Sequence, residues 1–175
     1  TLDDARRLAS HLRPEAHLVV VGAGFVGAEV ASTALGNVAR VSLVEAAGVP
    51  FERVLGTDVG TLLAHRYRAH GVDLRLGTTD VPSGDVVVAG IGASPAGGLV
   101  GEGAVETDAC GRTVLPGVYA CGDVARWDDR RIEHWTSAAG QARAVAQAIV
   151  GDPEPYRAAP YFWSDQFGLR LQYVG

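Results

Sequence analysis

Methionine is absent from the 175 residues, cysteine occurs only twice, and aromatic residues make up just 7%. No apolar run reaches membrane-spanning length, and the opening residues Thr1-Leu-Asp-Asp-Ala-Arg-Arg lack the apolar stretch of a secretory signal. Basic residues are outnumbered, 15 Lys and Arg against 20 Asp and Glu. The net charge of −5 leaves no basic stripe to neutralise phosphates, which argues against nucleic acid as a main partner. Cys110 and Cys121 form neither a C-x-x-C pair nor a zinc spacing, so they read as small buried apolar residues rather than as a redox dithiol or metal ligands. Reduced thiols imply a cytoplasmic protein. The missing methionine, and a chain that starts and stops inside patterned segments, predict a piece of a longer polypeptide.

What is present is the patterning of a globular α/β protein: 47% apolar and 20% charged residues. Residues 3–12 form an amphipathic helix with Leu8 and Leu12 on one face, ended by Pro14. His17-Leu-Val-Val-Val-Gly22 is a continuous apolar run, the mark of a parallel strand covered on both faces. A helix dense in alanine and valine follows from Phe25 to about Leu35, then a second strand, Arg40–Glu45. Residues 57–69 form another helix, stopped by Gly71, and Val72–Leu76 a third strand. This β-α-β-α-β order predicts a doubly wound parallel sheet. Further on, Asp85–Gly90 and Gly117–Asp123 read as strands. Thr136 or Ser137 is expected to cap a helix over Ala138–Val150, with a boundary near residue 152. The last stretch, Leu169–Gly175, alternates like a strand with no visible partner.

The segment Val21-Gly22-Ala-Gly24-Phe25-Val26-Gly27 sets G-x-G-x-x-G between a buried strand and a helix. In that context the first glycine permits a tight turn, the second lets backbone approach a pyrophosphate, and the third lets helix and strand close up. The free N–H groups and positive end of the helix favour phosphate. Glu45 ends the second strand 18 residues after Gly27, where a carboxylate accepts from ribose hydroxyls. It would repel a 2′-phosphate, and Ala46, Ala47 and Gly48 supply no arginine to offset this, so NADH is preferred over NADPH. The fingerprint alone would serve the ADP half of FAD equally well.

Farther along, Gly117-Val-Tyr-Ala-Cys-Gly122-Asp123 places a carboxylate where a strand ends, either as a ligand contact or as a helix cap. These residues, with Gly90-Ile91-Gly92-Ala-Ser-Pro, Glu133-His134-Trp135 and Pro160-Tyr-Phe-Trp-Ser-Asp-Gln-Phe-Gly-Leu, resemble the FAD-dependent pyridine-nucleotide oxidoreductases. Within these, the chain is similar to the ferredoxin reductases that serve bacterial oxygenases, of the putidaredoxin, rubredoxin and biphenyl-dioxygenase reductase types. The resemblance runs in order along nearly the whole chain. It implies a doubly wound Rossmann-like NAD-binding domain over 1–93, with its N-terminal linker helix. It further implies the C-terminal part of a FAD-binding domain over 94–151 and the start of an α+β C-terminal domain over 152–175.

The implied function is an NADH-dependent flavoprotein reductase passing electrons through FAD to a ferredoxin-type [2Fe-2S] protein or a rubredoxin. By resemblance, Glu29 lies on the nicotinamide side and Trp135 by the flavin, which makes them the candidate catalytic residues. Gly22, Gly24, Phe25, Val26, Gly27 and Glu45 belong to the NADH site, and Gly90, Ile91 and Gly92 to the crossing between domains. Gly122 and Asp123 would meet the ribityl and pyrophosphate region of FAD, and His134 and Trp135 its ring, with the following helix aimed at the flavin O2 edge. Arg53 is either a nucleotide contact or a solvated surface residue, and Trp135 and Trp163 either pack or serve the site.

Three departures accompany the resemblance. No G-x-G-x-x-G for the ADP half of FAD precedes Thr1, and that segment is expected upstream in the gene. Eight residues, 77–84, stand where the family has a three-stranded meander. The C-terminal domain is expected to stop after one strand. The chain by itself is alternatively an NADH-binding module without turnover.

Overall fold

The computed structural model describes residues 1–98, 100–127 and 129–175. It divides into two compact units, Thr1–Gly92 with Ser164–Leu171 and Ala93–Trp163 with Gln172–Gly175. No described helix is long and apolar enough to cross a membrane.

The first unit is built on four parallel strands, β1 (His17–Val21), β2 (Arg40–Glu45), β3 (Asp73–Leu76) and β4 (Val86–Ala89), in the order β3-β2-β1-β4. The unbroken apolar runs follow from this order. β1 has a neighbour on each side, and Leu18, Val19 and Val20 are wholly buried. β4 is an edge, so Val87 stands 56% exposed although its sequence is as apolar as that of β1.

Helix α1 (Leu2–His11) buries no residue fully, but Leu8 and Leu12 pack on the core, as their spacing predicts. In α2 (Phe25–Ala34) the buried positions are Gly27, Ala28, Ala31 and Ala34, a stripe of small side chains against the sheet. Helix α3 (Glu52–Ala69) starts earlier than the sequence suggests. A first turn precedes Gly56, whose φ of 76° breaks the helix, and the predicted span from Thr57 follows the break. Leu63, Ala64 and Tyr67 seal the core from this side. Residues 78–84 carry no regular structure.

The second unit differs more from expectation. Gly117–Asp123 is not a strand. Tyr119 makes one isolated bridge to Arg112, and backbone bonds from Thr113 N–H to Val118 (3.0 Å) and from Ala120 N–H to Gly111 (3.0 Å) close it as a loop. Gly122–Val124 forms a single 3₁₀ turn. The strands lie elsewhere, as a short parallel pair β5 (Val105–Thr107) and β6 (Ala125–Trp127). Helix α4 (Trp135–Ile149) begins three residues before the predicted start, with His134 at its N-cap and no side-chain cap. Thr136, expected to cap it, donates instead to the carbonyl of Tyr161, and Ser137 is buried inside the first turn.

The C-terminal alternation does have a partner. β7 (Tyr161–Gln166) and β8 (Leu169–Val174) form a two-stranded sheet, so the tail carries two strands rather than one. The connection is Phe167-Gly168, with φ of 48° and 70°, the double left-handed turn that suits a two-residue hairpin. The hairpin tip belongs to the first unit and its base to the second.

Candidate functional site

In a parallel sheet of order β3-β2-β1-β4, the chain changes direction across β1 and β4, and a crevice opens at the C-terminal ends of those two strands. Both glycine clusters lie there. Gly90 N–H donates to Val21 at 2.7 Å and Gly22 N–H to Val44 at 2.8 Å, so the loops leaving β1 and β4 are pinned by the sheet itself. Gly22 has a φ of 97°, and a Cβ on it would sit 2.5 Å from the carbonyl oxygen of Gly90. A Cβ on Gly90 would come within 3.2 Å of the Gly27 nitrogen. Gly24 is different: a Cβ there meets nothing within 4 Å. Gly22, Gly27 and Gly90 are therefore required by close packing, whereas Gly24 borders open space at the N-cap of α2, which has no side-chain cap. Backbone N–H groups are thus offered beside an opening, the geometry that a pyrophosphate needs.

Glu45 closes the rim. Its Oε2 accepts from Ala23 N–H at 2.7 Å and its Oε1 from Ala47 N–H at 2.9 Å. The carboxylate is therefore held against the fingerprint loop, with lone pairs left on each oxygen for ribose hydroxyls. Phe25 packs edge-on to Phe51 at 4.7 Å and stiffens the loop, while Val26 (62%) and Ile91 (75%) are apolar side chains facing solvent. Gly92, like Gly24, is open around its Cα. Arg53 lies exposed in the first turn of α3 and makes no hydrogen bond or ion pair among the described residues.

Glu29 lies on α2, exposed, and its Oε1 accepts from Ser164 Oγ at 2.6 Å. Behind Ser164 stand Gln166 and Tyr67, both buried and hydrogen-bonded in series. Ser164 and Gln166 fall within the aromatic C-terminal motif that carries the resemblance, but no site role is read for them or for Tyr67 from the sequence. The available signal is polar residues at alternate positions of one strand, Ser164 and Gln166, both pointing inward.

In the second unit, Gly122 N–H donates to the buried Gln141 Oε1 at 2.8 Å, which fixes the 3₁₀ turn. The Asp123 side chain is left exposed, without a hydrogen bond or ion pair among the described residues. The His134 ring stacks on Phe162 at 4.3 Å, and Phe162 on Tyr173 at 4.8 Å. Burial pushes the His134 imidazole below its ordinary value, and the opposing pull of Asp123 and Glu133 does not reverse this. Trp135 stands 73% exposed at the uncapped N-terminus of α4, edge-on to Trp163 at 6.1 Å.

A parallel sheet with a glycine fingerprint at its switch point and a carboxylate ending the second strand defines a dinucleotide-binding α/β protein. The family model described as pyridine nucleotide-disulphide oxidoreductase matches residues 1–81 and 76–142, and the chain belongs to that family. It is 35% identical over 190 residues to the 5,5′-dehydrodivanillate O-demethylase ferredoxin reductase subunit of a Sphingobium species, covering 89% of this chain and 46% of that protein. It is 34% identical over 201 residues to the ferredoxin–NAD(+) reductase component of the p-cumate 2,3-dioxygenase system of Pseudomonas putida, covering 100% of this chain and 50% of that protein. Among solved structures, the covalent putidaredoxin reductase–putidaredoxin complex matches with a TM-score of 0.89 and 33% identity, over 100% of this chain and 50% of that one. The chain thus spans about half the length of the relatives that it matches.

Proposed function

We propose that this chain is the NADH-binding part, with adjoining flavin-binding residues, of an FAD-dependent reductase that delivers electrons to a ferredoxin-type iron–sulfur protein, with a rubredoxin as the other acceptor class. The observation that carries this reading is the β1–β4 crevice, where open space at Gly24 adjoins a fixed carboxylate on Glu45. The ferredoxin reductase names of the relatives support the acceptor. We assign 1–93 to NADH, 94–151 to FAD and 152–175 to the C-terminal domain, in a cytoplasmic protein whose two thiols are free.

The residues divide the work. Backbone at the start of α2 takes the pyrophosphate, and Phe25 and Val26 lie alongside it. Glu45 accepts from the adenosine ribose and repels a 2′-phosphate. Glu29 keeps its Oε2 available for the carboxamide N–H of the nicotinamide. Arg53, exposed and unpaired among the described residues, is assigned an auxiliary phosphate contact. On the flavin side, Asp123 accepts from the ribityl hydroxyls, and the uncapped start of α4, with His134 and Trp135, favours negative charge on the ring. Burial lowers the His134 imidazole from its ordinary value, which favours its uncharged form. Bound FAD would supply the exchange between a two-electron donor and a one-electron acceptor.

The test uses the protein as expressed from its complete gene. Bound FAD, reduction of cytochrome c or a ferredoxin by NADH, and calorimetric binding of NADH in preference to NADPH are expected. A colourless protein, inactive with both cofactors supplied, would overturn the reductase reading. No heat with either nucleotide would overturn the crevice assignment.

A further inference from the structure

The first unit contains a chain of buried polar side chains that runs from the core to the surface of α2. Tyr67 of α3 donates its hydroxyl to Gln166 Oε1. Gln166 Nε2 donates to Ser164 Oγ at 2.9 Å, and Ser164 Oγ donates to Glu29 Oε1 at 2.6 Å. Tyr67 and Ser164 are 0% exposed and Gln166 1%, yet the chain ends on a carboxylate at the surface of α2.

Its direction is fixed at every link. The Glu29 carboxylate can only accept, so the single Ser164 proton points to it; Ser164 Oγ then accepts from Gln166 Nε2, which leaves Gln166 Oε1 to accept from Tyr67. Burial pushes the Tyr67 phenol far above neutrality, so it remains a donor at any physiological pH. Donors aligned in one direction polarise one another, and the last bond is charge-assisted. A long, exposed Glu side chain would otherwise sample several rotamers, at an entropy cost when a ligand selects one. Here one of its oxygens is held from beneath, and the other makes no hydrogen bond among the described residues.

We propose that Ser164, backed by Gln166 and Tyr67, is a positioning residue that presets the Glu29 carboxylate to receive the carboxamide of a nicotinamide dinucleotide. This rests on the reading of Glu29 given above. It makes the tip of the C-terminal hairpin part of the NADH site's specificity, although no residue of that tip belongs to the fingerprint.

The test is calorimetric binding by the protein as expressed from its complete gene. The ligands are NAD+ and 3-acetylpyridine adenine dinucleotide, which has a methyl group in place of the amide NH2. Ser164→Ala is expected to narrow the preference for NAD+ about 3- to 10-fold, the worth of one oriented hydrogen bond, while ADP-ribose affinity stays unchanged. Tyr67→Phe keeps the ring on Phe167 and should shift the ratio in the same direction by less. Ser32→Ala controls for structure. Ser32 Oγ accepts from Phe167 N–H at 2.7 Å, so this variant loosens the same hairpin without touching Glu29 and should leave the ratio alone.

Glu29→Ala separates the two ideas. If it abolishes the preference while Ser164→Ala leaves it at the wild-type value, the positioning role is overturned and the Glu29 reading stands. If Glu29→Ala itself changes nothing, both fall. An equal loss of ratio in Ser32→Ala and Ser164→Ala would also overturn the proposal, by reducing it to general loosening.

Discussion

A Cβ placed on Gly27 would lie 1.8 Å from the carbonyl oxygen of Gly22, well inside any tolerable contact. The turn leaving β1 and the first turn of α2 are pressed together at backbone distance, and Val20 Cγ1 crowds the same point at 3.3 Å. The third fingerprint glycine is thus a packing residue, while Gly24, two positions after Gly22, borders only open space.

That contrast makes a paired prediction. Gly27→Ala should cost more than about 3 kcal/mol, because neither backbone segment can withdraw without breaking the sheet. Gly24→Ala should stay within about 1 kcal/mol of wild type, since its φ of −86° suits alanine, yet lose NADH binding because the methyl occupies the phosphate's space. Urea unfolding and calorimetry on both variants check this, and wild-type affinity in Gly24→Ala would remove the pyrophosphate from that position.

Glu45→Gln should affect both stability and selectivity. Each carboxylate oxygen already accepts a backbone N–H, so an amide must turn its NH2 toward either Ala23 or Ala47. One N–H then loses its partner, at about 1–3 kcal/mol. With the charge gone, the preference for NADH over NADPH should narrow about tenfold or more, read from the ratio of the two dissociation constants. An unchanged ratio would rule Glu45 out as the ribose contact.

The fingerprint half was legible because each of its signals is local. The run Leu18–Val21 is apolar throughout since β1 has a neighbour on each side and its middle is wholly buried, and Gly22 and Glu45 mark where strands end. The second unit was not. β5 and β6 span three residues each, too short for a period to register, and Gly117–Asp123 has the extended composition of a strand while its backbone bonds close locally. β7 was hidden for another reason. Its inward positions are Phe162, Ser164 and Gln166, so two of three break the apolar alternation by which a strand is recognised. Of those two polar residues, Ser164 donates to Glu29 and Gln166 donates to Ser164, so the break in patterning falls where the strand is hydrogen-bonded to α2.

Asp123→Ala should leave the second unit folded and reduce its hold on flavin. The side chain is exposed and contributes nothing to the turn, which is fixed by Gly122 and Gln141. Loss of a charged acceptor should weaken FAD about tenfold or more. The absorbance ratio of flavin to protein after dialysis measures this, and full flavin retention would place the ribityl contact on another residue.

The last prediction concerns acid. Asp73 on β3 takes hydrogen bonds from Arg40 (2.6 Å), Arg75 (3.1 Å) and Ser42 (2.9 Å), and Ser42 in turn lies 2.8 Å from His17 Nε2. Burial raises its carboxyl, but the bonds from Arg75, Ser42 and Arg40 outweigh this and hold it at about 2. A carboxyl whose folded value lies below the unfolded one, about 3.9, stabilises the fold fully above that unfolded value. The contribution should therefore persist from neutrality to about pH 4 and drain away as the pH falls toward 2. Both arginines are substantially exposed, so solvent screening keeps its size below about 1 kcal/mol. Urea midpoints at pH 7, 4 and 2.5 should show Asp73→Asn less stable than wild type at the first two, with the deficit shrunk to about a third at the last. A deficit that persists undiminished at pH 2.5 would mean that the residue acts through packing and not through its charge.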